Sequence, residues 1–135
     1  MNDTEFLQQF EAGQISEFSH RYHLRMAWIY LRANGFERGS EKIRVGLRHL
    51  TEAHSAPGKY HETISLFWVH LVNYAITLMP EIDNFEGFIA VHAHLLDAGL
   101  LKRHYSAALL KESRAAWHAP DLAPLPGAAL QHESL

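Results

Sequence analysis

Histidine is the residue type whose abundance and spacing first indicate chemistry in this sequence. The chain has 11 histidines among its 135 residues. His20 and His23 stand three residues apart in a helical pattern, so their Cβ atoms should lie about 5–6 Å apart on one face of the helix. Two imidazoles placed in this way can hold one metal ion at about 2.0–2.1 Å from each nitrogen. The pair predicts a metal-ligating or substrate-binding site.

A second group of chemically capable residues is the segment KYHETIS, residues 59–65, which follows the Pro57-Gly58 break. His61 and Glu62 are adjacent, so their side chains diverge by about 100° on a helix, yet both can border one pocket where that helix begins. The positive end of the helix dipole favours a neutral imidazole, which is the ligating form, and an ionised carboxylate. We therefore expect His61 or Glu62 to complete a site with histidines from another helix.

The complete set would offer a divalent metal three ligands: His20 and His23 from one helix, and His61 or Glu62 from another. Such a set suits zinc, iron, nickel or cobalt. Because no thiolate ligand is present, the ligand types do not distinguish among these metals. In a metal-dependent enzyme, His61 or Glu62 would also serve as the general base. Arg25 follows the histidine pair closely enough to bind a carboxylate or phosphate of the substrate.

Each of these features also has an ordinary structural interpretation. Chance pairs are expected when histidine is so abundant, and a histidine pair can simply make common hydrogen bonds. Glu62 can complement the helix dipole without any further role, and Tyr60 can pack against the helix that follows it. His92 and His94 point about 200° apart on a helix, so they are not expected to share a metal ion.

Composition narrows the class of protein. The formal net charge of −3 offers no basic field for nucleic acid or an anionic membrane surface. The absence of cysteine removes disulfides, thiolate catalysis and cysteine-based metal sites. The N-terminus resembles no signal peptide, and no run of about 20 apolar residues could span a bilayer. We expect a soluble cytoplasmic protein.

The elements that must position these residues are helices. Glycine and proline punctuate helical patterns throughout, and there is no strong run of strand-like alternation. With 47% hydrophobic residues, a chain of this length can build one core. The sequence predicts an all-α, single-domain bundle of five or six helices, with an extended C-terminal tail over residues 118–135. The fourth helix is apolar on nearly every face and should lie at the centre. The predicted helices cover residues 4–12, 16–33, 41–53, 60–79, 85–97 and 106–117.

Three blocks of the sequence, FSHRYHLRMAWIYLRANG, APGKYHETIS and LLKRHYS, resemble a family of small bacterial proteins of uncharacterised function. The family carries H-x-x-H-L-R-x-A-W, P-G-K-Y-H-E-T-I-T and L-L-x-R-Y-Y-S motifs. This chain departs from them at Ser65, where threonine is expected, and at His104, where tyrosine is expected. The resemblance supplies no activity. It implies roles for the residues that match the motifs: His20, His23, Leu24, Arg25, Tyr60, His61, Glu62, Thr63, Arg103, Tyr105 and Ser106.

Three functions are consistent with these observations. The first is a divalent-metal protein, an enzyme if Tyr105 and Arg103 orient a small-molecule substrate beside the metal. The second is a metal-free module in which His23, Arg25, Arg103 and Tyr60 bind a small anionic ligand or a partner's peptide. The third is a structural homodimer or larger homo-oligomer that uses the many aromatic residues, Trp28, Tyr30, Phe67, Trp68 and Tyr74, as its interface.

Overall fold

The computed structural model describes residues 1–127, which form α-helices and two short 3-10 helices and contain no strand. The 3-10 helices are Pro57–Lys59 and Ala93–Leu96. The predicted all-α class, with five or six helices, is confirmed for this part of the chain. The six α-helices are α1 (Asp3–Glu11), α2 (His20–Ala53), α3 (Glu62–Leu78), α4 (Phe85–Val91), α5 (Leu100–His104) and α6 (Ala107–Glu112).

Helix α2 is divided by Gly35 into a first arm, residues 20–34, and a second arm, residues 36–53. Gly35 has φ 79° and ψ −178°, a left-handed conformation that glycine adopts without steric cost. A Cβ atom at Gly39 would lie 3.1 Å from the backbone of Leu31, so the two arms approach closely just beyond this glycine. The predicted break at Asn34-Gly35 is therefore a single-residue turn between two packed arms.

The start predicted for the next helix is wrong. Residues 36–40 are already helical, and Ser40, which the sequence suggested as the N-cap, lies inside the second arm. Its hydroxyl donates to the backbone carbonyl of Phe36, one turn earlier. A single glycine at the turn leaves no room for a separate capped loop, so the helix resumes immediately.

Helix α3 is the centre of the bundle, as its apolar sequence predicted. It packs chiefly against α2 and contributes much of the core: Phe67, Trp68, Val69, Leu71, Val72 and Ala75 are all buried. Fully burying a side chain the size of leucine or phenylalanine stabilises the fold by about 1.5–3 kcal/mol. Four of the five aromatic residues considered for an oligomer interface, Trp28, Tyr30, Phe67 and Trp68, are buried within this core, so they offer no free surface.

The helices in the C-terminal third of the chain are shorter than the sequence pattern predicted. Helix α4 ends at Val91, and short helices replace the long ones expected over residues 85–97 and 106–117. Residues 113–118, which follow α6, run along the start of α3. We call this segment the strap. Residues 118–127 hold bends and turns without helix, and residues 128–135 of the predicted tail lie outside the described residues.

None of the helices within residues 1–127 is long and apolar enough to cross a bilayer.

Candidate functional site

The three histidines predicted as metal ligands, His20, His23 and His61, line one cavity of about 280 Å³. The Gly35 turn makes this convergence possible. His23 in the first arm and Leu47 in the second arm are each 12 residues from Gly35, and both face this cavity beside the start of α3. The remaining wall is formed by two apolar residues, Ile64 and Trp68, and by the polar residues Thr51, Lys59, Tyr60 and Ser65.

His61 is the N-cap of α3, and both of its ring nitrogens already have partners. Nδ1 accepts a hydrogen bond from the backbone N–H of Ile64 (3.1 Å). Nε2 lies 2.7 Å from the carbonyl oxygen of Leu110, which can only accept, so Nε2 carries the proton. These two bonds together require the neutral tautomer protonated at Nε2. No lone pair of this imidazole is left for a metal ion while the bonds persist.

His20 and His23 remain available on the other side of the cavity. Nε2–H of His20 donates to the carbonyl oxygen of Leu95 (2.8 Å), and the His20 ring meets the Trp68 ring edge to face at 4.4 Å. Nδ1 of His23 is buried and has no hydrogen-bond partner among the described residues. Burial and, secondarily, the neighbouring His20 lower the pKa of His23 to about 4, so it is neutral at pH 7.

The carboxylate of Glu62 is engaged in an ion pair with two arginines. Glu62 is only 5% exposed, and its carboxylate forms a two-pronged ion pair with Arg44 (2.7 and 3.1 Å), with Arg48 at 3.7 Å. Burial alone would raise the pKa of Glu62, but hydrogen bonds from Tyr60 and Arg44 and the charges of Arg44 and Arg48 outweigh it and lower that pKa. The carboxylate is therefore ionised and ties the second arm of α2 to the start of α3.

Tyr60 joins the cavity wall to this ion pair. Its hydroxyl donates to Glu62, and the guanidinium of Arg48 lies over its ring at 4.9 Å from the centroid. Burial and the hydrogen bond to Glu62 raise the pKa of Tyr60 to about 12. The phenol stays protonated at neutral pH, and its proton points to the carboxylate.

The strap holds this region from outside, a role that the sequence patterns did not indicate. The guanidinium of Arg114 donates to the backbone carbonyls of Gly58 (2.6 Å) and Tyr60 (3.0 Å). The carbonyl of Arg114 accepts from the backbone N–H of Glu62 (2.8 Å). The Thr63 hydroxyl donates to a strap carbonyl (2.9 Å) and accepts from a strap N–H (3.1 Å). Each residue from 60 to 63 is thus bonded outside its own segment.

Three other residues with predicted roles lie elsewhere. Arg25 donates to the carboxylate of Asp3 at the start of α1 (3.0 Å) and packs over an aromatic ring there. Arg103 has a side chain that is 71% exposed. Tyr105 is buried, and its hydroxyl donates to the carbonyl of His118 (2.6 Å). The structure does not bring Arg25, Arg103 or Tyr105 to the cavity, and their functional roles stay predictions.

The donor set fits a divalent metal only in part. Within residues 1–127, no group of three or more histidine, aspartate or glutamate side chains is arranged to hold a metal ion. With both nitrogens of His61 bonded, the cavity offers two imidazoles, His20 and His23, instead of the predicted three. A metal ion there would complete its coordination with water or a ligand.

Comparisons with family models, curated proteins and solved structures returned no match for this chain.

Proposed function

We propose that the protein is a binding module that holds a small molecule in the cavity between the two arms of α2 and the start of α3. The observation that carries this proposal is the convergence of His20 and His23 from α2, and of Tyr60 from the segment before α3, on one cavity with Trp68 in its wall. The wall combines three apolar side chains, Leu47, Ile64 and Trp68, with polar groups that can orient a ligand, and the volume of about 280 Å³ is just below the usual range of ligand sites, about 300–1,000 Å³.

The unpartnered nitrogen of His23 supports binding over a purely structural role. A buried polar atom without a hydrogen bond costs about 1–3 kcal/mol. Three other buried atoms among residues 1–127 lack a partner, Trp28 Nε1, His92 Nε2 and Ser113 Oγ, but of the four residues only His23 lines this cavity. Because this atom is buried, a ligand would recover the cost only by displacing the side chains that cover it. Leucine at this position would fill the space without that penalty.

Catalysis has weaker support than binding. The two residues predicted as general bases are engaged elsewhere: Glu62 by arginines and Tyr60, His61 by its cap and carbonyl bonds. The pKa of His23, about 4, makes it a weak base at neutral pH. The cavity is better suited to hold a molecule than to transform one.

A divalent metal ion is the second candidate, and one observation favours it. His20 donates its Nε2–H to a backbone carbonyl, which is the contact that orients most metal-ligating histidines and leaves the other nitrogen free. His20 and His23 would supply two nitrogens to zinc, iron or nickel, and a small molecule would supply the rest.

The experiment compares protein purified without a histidine tag with its His23→Leu variant. Thermal shifts and calorimetric titrations with a small-molecule panel are measured with and without a chelator, together with elemental analysis. We expect ligands that stabilise the wild type and fail to stabilise His23→Leu. His49→Gln is the matched control, because His49 is exposed and does not line this cavity.

The outcomes separate the candidates. Ligand-induced shifts that ignore the chelator support metal-free binding, and stoichiometric metal lost in His23→Leu supports the metal site. Ligands that stabilise His23→Leu as much as the wild type would refute the cavity as the binding site.

A further inference from the structure

We infer that the cavity recognises an uncharged hydrogen-bond donor with a flat apolar body, such as a primary amide or an N–H heterocycle. This inference rests on the proposed binding function and specifies the ligand's chemical class. It rests on the atoms of the wall that keep hydrogen-bonding capacity after the internal bonds of the protein are made.

The hydroxyl groups of the wall have already used their protons. The hydroxyls of Thr51 (2.9 Å) and Ser65 (2.7 Å) each donate to a backbone carbonyl of the preceding turn, and Tyr60 donates to Glu62. A hydroxyl has one proton and two lone pairs. All three groups can therefore accept a further hydrogen bond from a ligand but have no proton left to donate.

The imidazoles likewise have fewer free N–H groups than free lone pairs. His20 uses its Nε2–H on the carbonyl of Leu95, so a neutral His20 keeps only the Nδ1 lone pair. His61 has neither a proton nor a lone pair in reserve. A neutral His23 keeps one N–H and one lone pair. Nδ1 of His23 is buried, so only its Nε2 is accessible, as a donor or an acceptor according to the tautomer. The wall thus offers four acceptor groups, on Thr51, Tyr60, Ser65 and His20, against the exposed ammonium of Lys59.

A carboxylate would be a poor match for this wall. A buried carboxylate needs several donors, and here its oxygens would face lone pairs of hydroxyl and imidazole groups. A cation has the opposite difficulty, because Lys59 lines the cavity and the guanidinium of Arg48 lies over the Tyr60 ring. An uncharged donor avoids both conflicts.

The apolar part of the wall sets the shape of the rest of the ligand. Leu47, Ile64 and the indole of Trp68 line the same cavity as the acceptor groups. Burial of a flat hydrocarbon body against these side chains would contribute about 25 cal/mol for each Å² removed from water.

Four probes of nearly equal shape test the inference: benzamide, acetophenone, benzoate and benzylamine. Benzamide and acetophenone differ by NH₂ in place of CH₃, so they isolate the donor. Affinities are measured by calorimetry and ligand-observed NMR on the full chain at pH 7. We expect benzamide to bind at least about tenfold more tightly than acetophenone, because acetophenone leaves wall acceptors unpaired.

A double variant, Thr51→Val with Ser65→Ala, removes two acceptors without changing the size of the cavity greatly. We expect the preference for benzamide over acetophenone to fall several-fold in this variant and to stay unchanged in the His49→Gln control. Each substituted hydroxyl bonds only within its own helix, so the fold should tolerate the loss.

Each outcome of these measurements supports or contradicts a stated part of the inference. Equal binding of benzamide and acetophenone, or tighter binding of benzoate or benzylamine, would overturn the donor inference and leave the binding function in place. An undiminished preference in the double variant would overturn the assignment of the acceptors. If no probe binds and the wider panel also fails, the proposed function itself is refuted.

Discussion

Substitution of His23 by leucine tests whether this residue is present to bind a ligand although it lowers the free energy of unfolding. In the free protein, Nδ1 of His23 is buried without a partner among the described residues. Removing an unpaired buried polar group avoids a cost of about 1–3 kcal/mol, and leucine keeps the apolar contacts. We therefore expect the free energy of unfolding of His23→Leu at pH 7 to exceed that of the wild type by about 1 kcal/mol.

The same substitution should remove part of the acid sensitivity of the fold. The pKa of His23 falls from 6.5 in the unfolded chain to about 4 in the folded protein. The unfolded state binds the proton more tightly than the folded state. Protonation of His23 therefore leaves the free energy of unfolding unchanged above about pH 6.5 and lowers it progressively as the pH falls toward 4. At pH 5 the loss amounts to about 2 kcal/mol at most, and water entering the cavity would reduce it.

Urea unfolding of both proteins at pH 7, 6 and 5 measures these two effects. The excess stability of His23→Leu should grow as the pH falls, since only the wild type must keep this imidazole neutral. His49→Gln should follow the wild type at each pH. If His23→Leu is less stable than the wild type at pH 7, or the difference does not depend on pH, His23 is a structural residue and the reasoning is refuted.

Three further perturbations test the architecture around the cavity. Glu62→Gln should lower the free energy of unfolding by about 2–3 kcal/mol in urea, because it leaves two arginines without their buried partner, and an unchanged midpoint would contradict the ion pair. Gly46→Ala should cost about 1–3 kcal/mol in thermal unfolding, since its Cβ would clash with the Phe10 ring. Gly58→Ala meets open space and should change stability little. Arg114→Gln should speed hydrogen exchange at the Glu62 amide while Arg114→Lys restores part of the protection, and equal exchange in all three proteins would show that the strap does not hold this segment.

The helical architecture could be predicted because the hydrophobic pattern and the turn residues agree. The long apolar run after residue 62 has only one suitable environment, the centre of a bundle, and α3 lies there. The predictions that proved wrong concern features that depend on tertiary contacts. Ser40 resembles an N-cap in sequence, but packing of the two arms of α2 extends the helix backward to Phe36. Of the residues in this extension, Gly39 and Ser40 are buried and residues 36–38 are exposed, so the close approach of Gly39 to Leu31 is the tertiary contact that the local pattern does not contain.

The position of the cavity could also be predicted, but not the state of the groups around it. Helical spacing places His20 and His23 on one face, and the Pro57-Gly58 break marks where α3 begins. Whether an imidazole is free depends on acceptors remote in sequence, here the carbonyls of Leu95 and Leu110. No local pattern contains that information, because every residue type has a backbone carbonyl.

The same limit applies to KYHETIS, whose residue types predict chemistry and whose side chains make structural bonds in this fold. Histidine, glutamate, threonine and serine at the start of a helix are the residue types of active sites, and they are also the types that can satisfy free N–H groups and buried charges there. In this protein His61 caps α3, Glu62 anchors two arginines, Thr63 bonds the strap, and Ser65 bonds its own helix. Because these bonds use nearly every proton that the segment offers, the cavity beside it is left with acceptors. Under the proposed binding function, the structural use of the motif would therefore select the ligand.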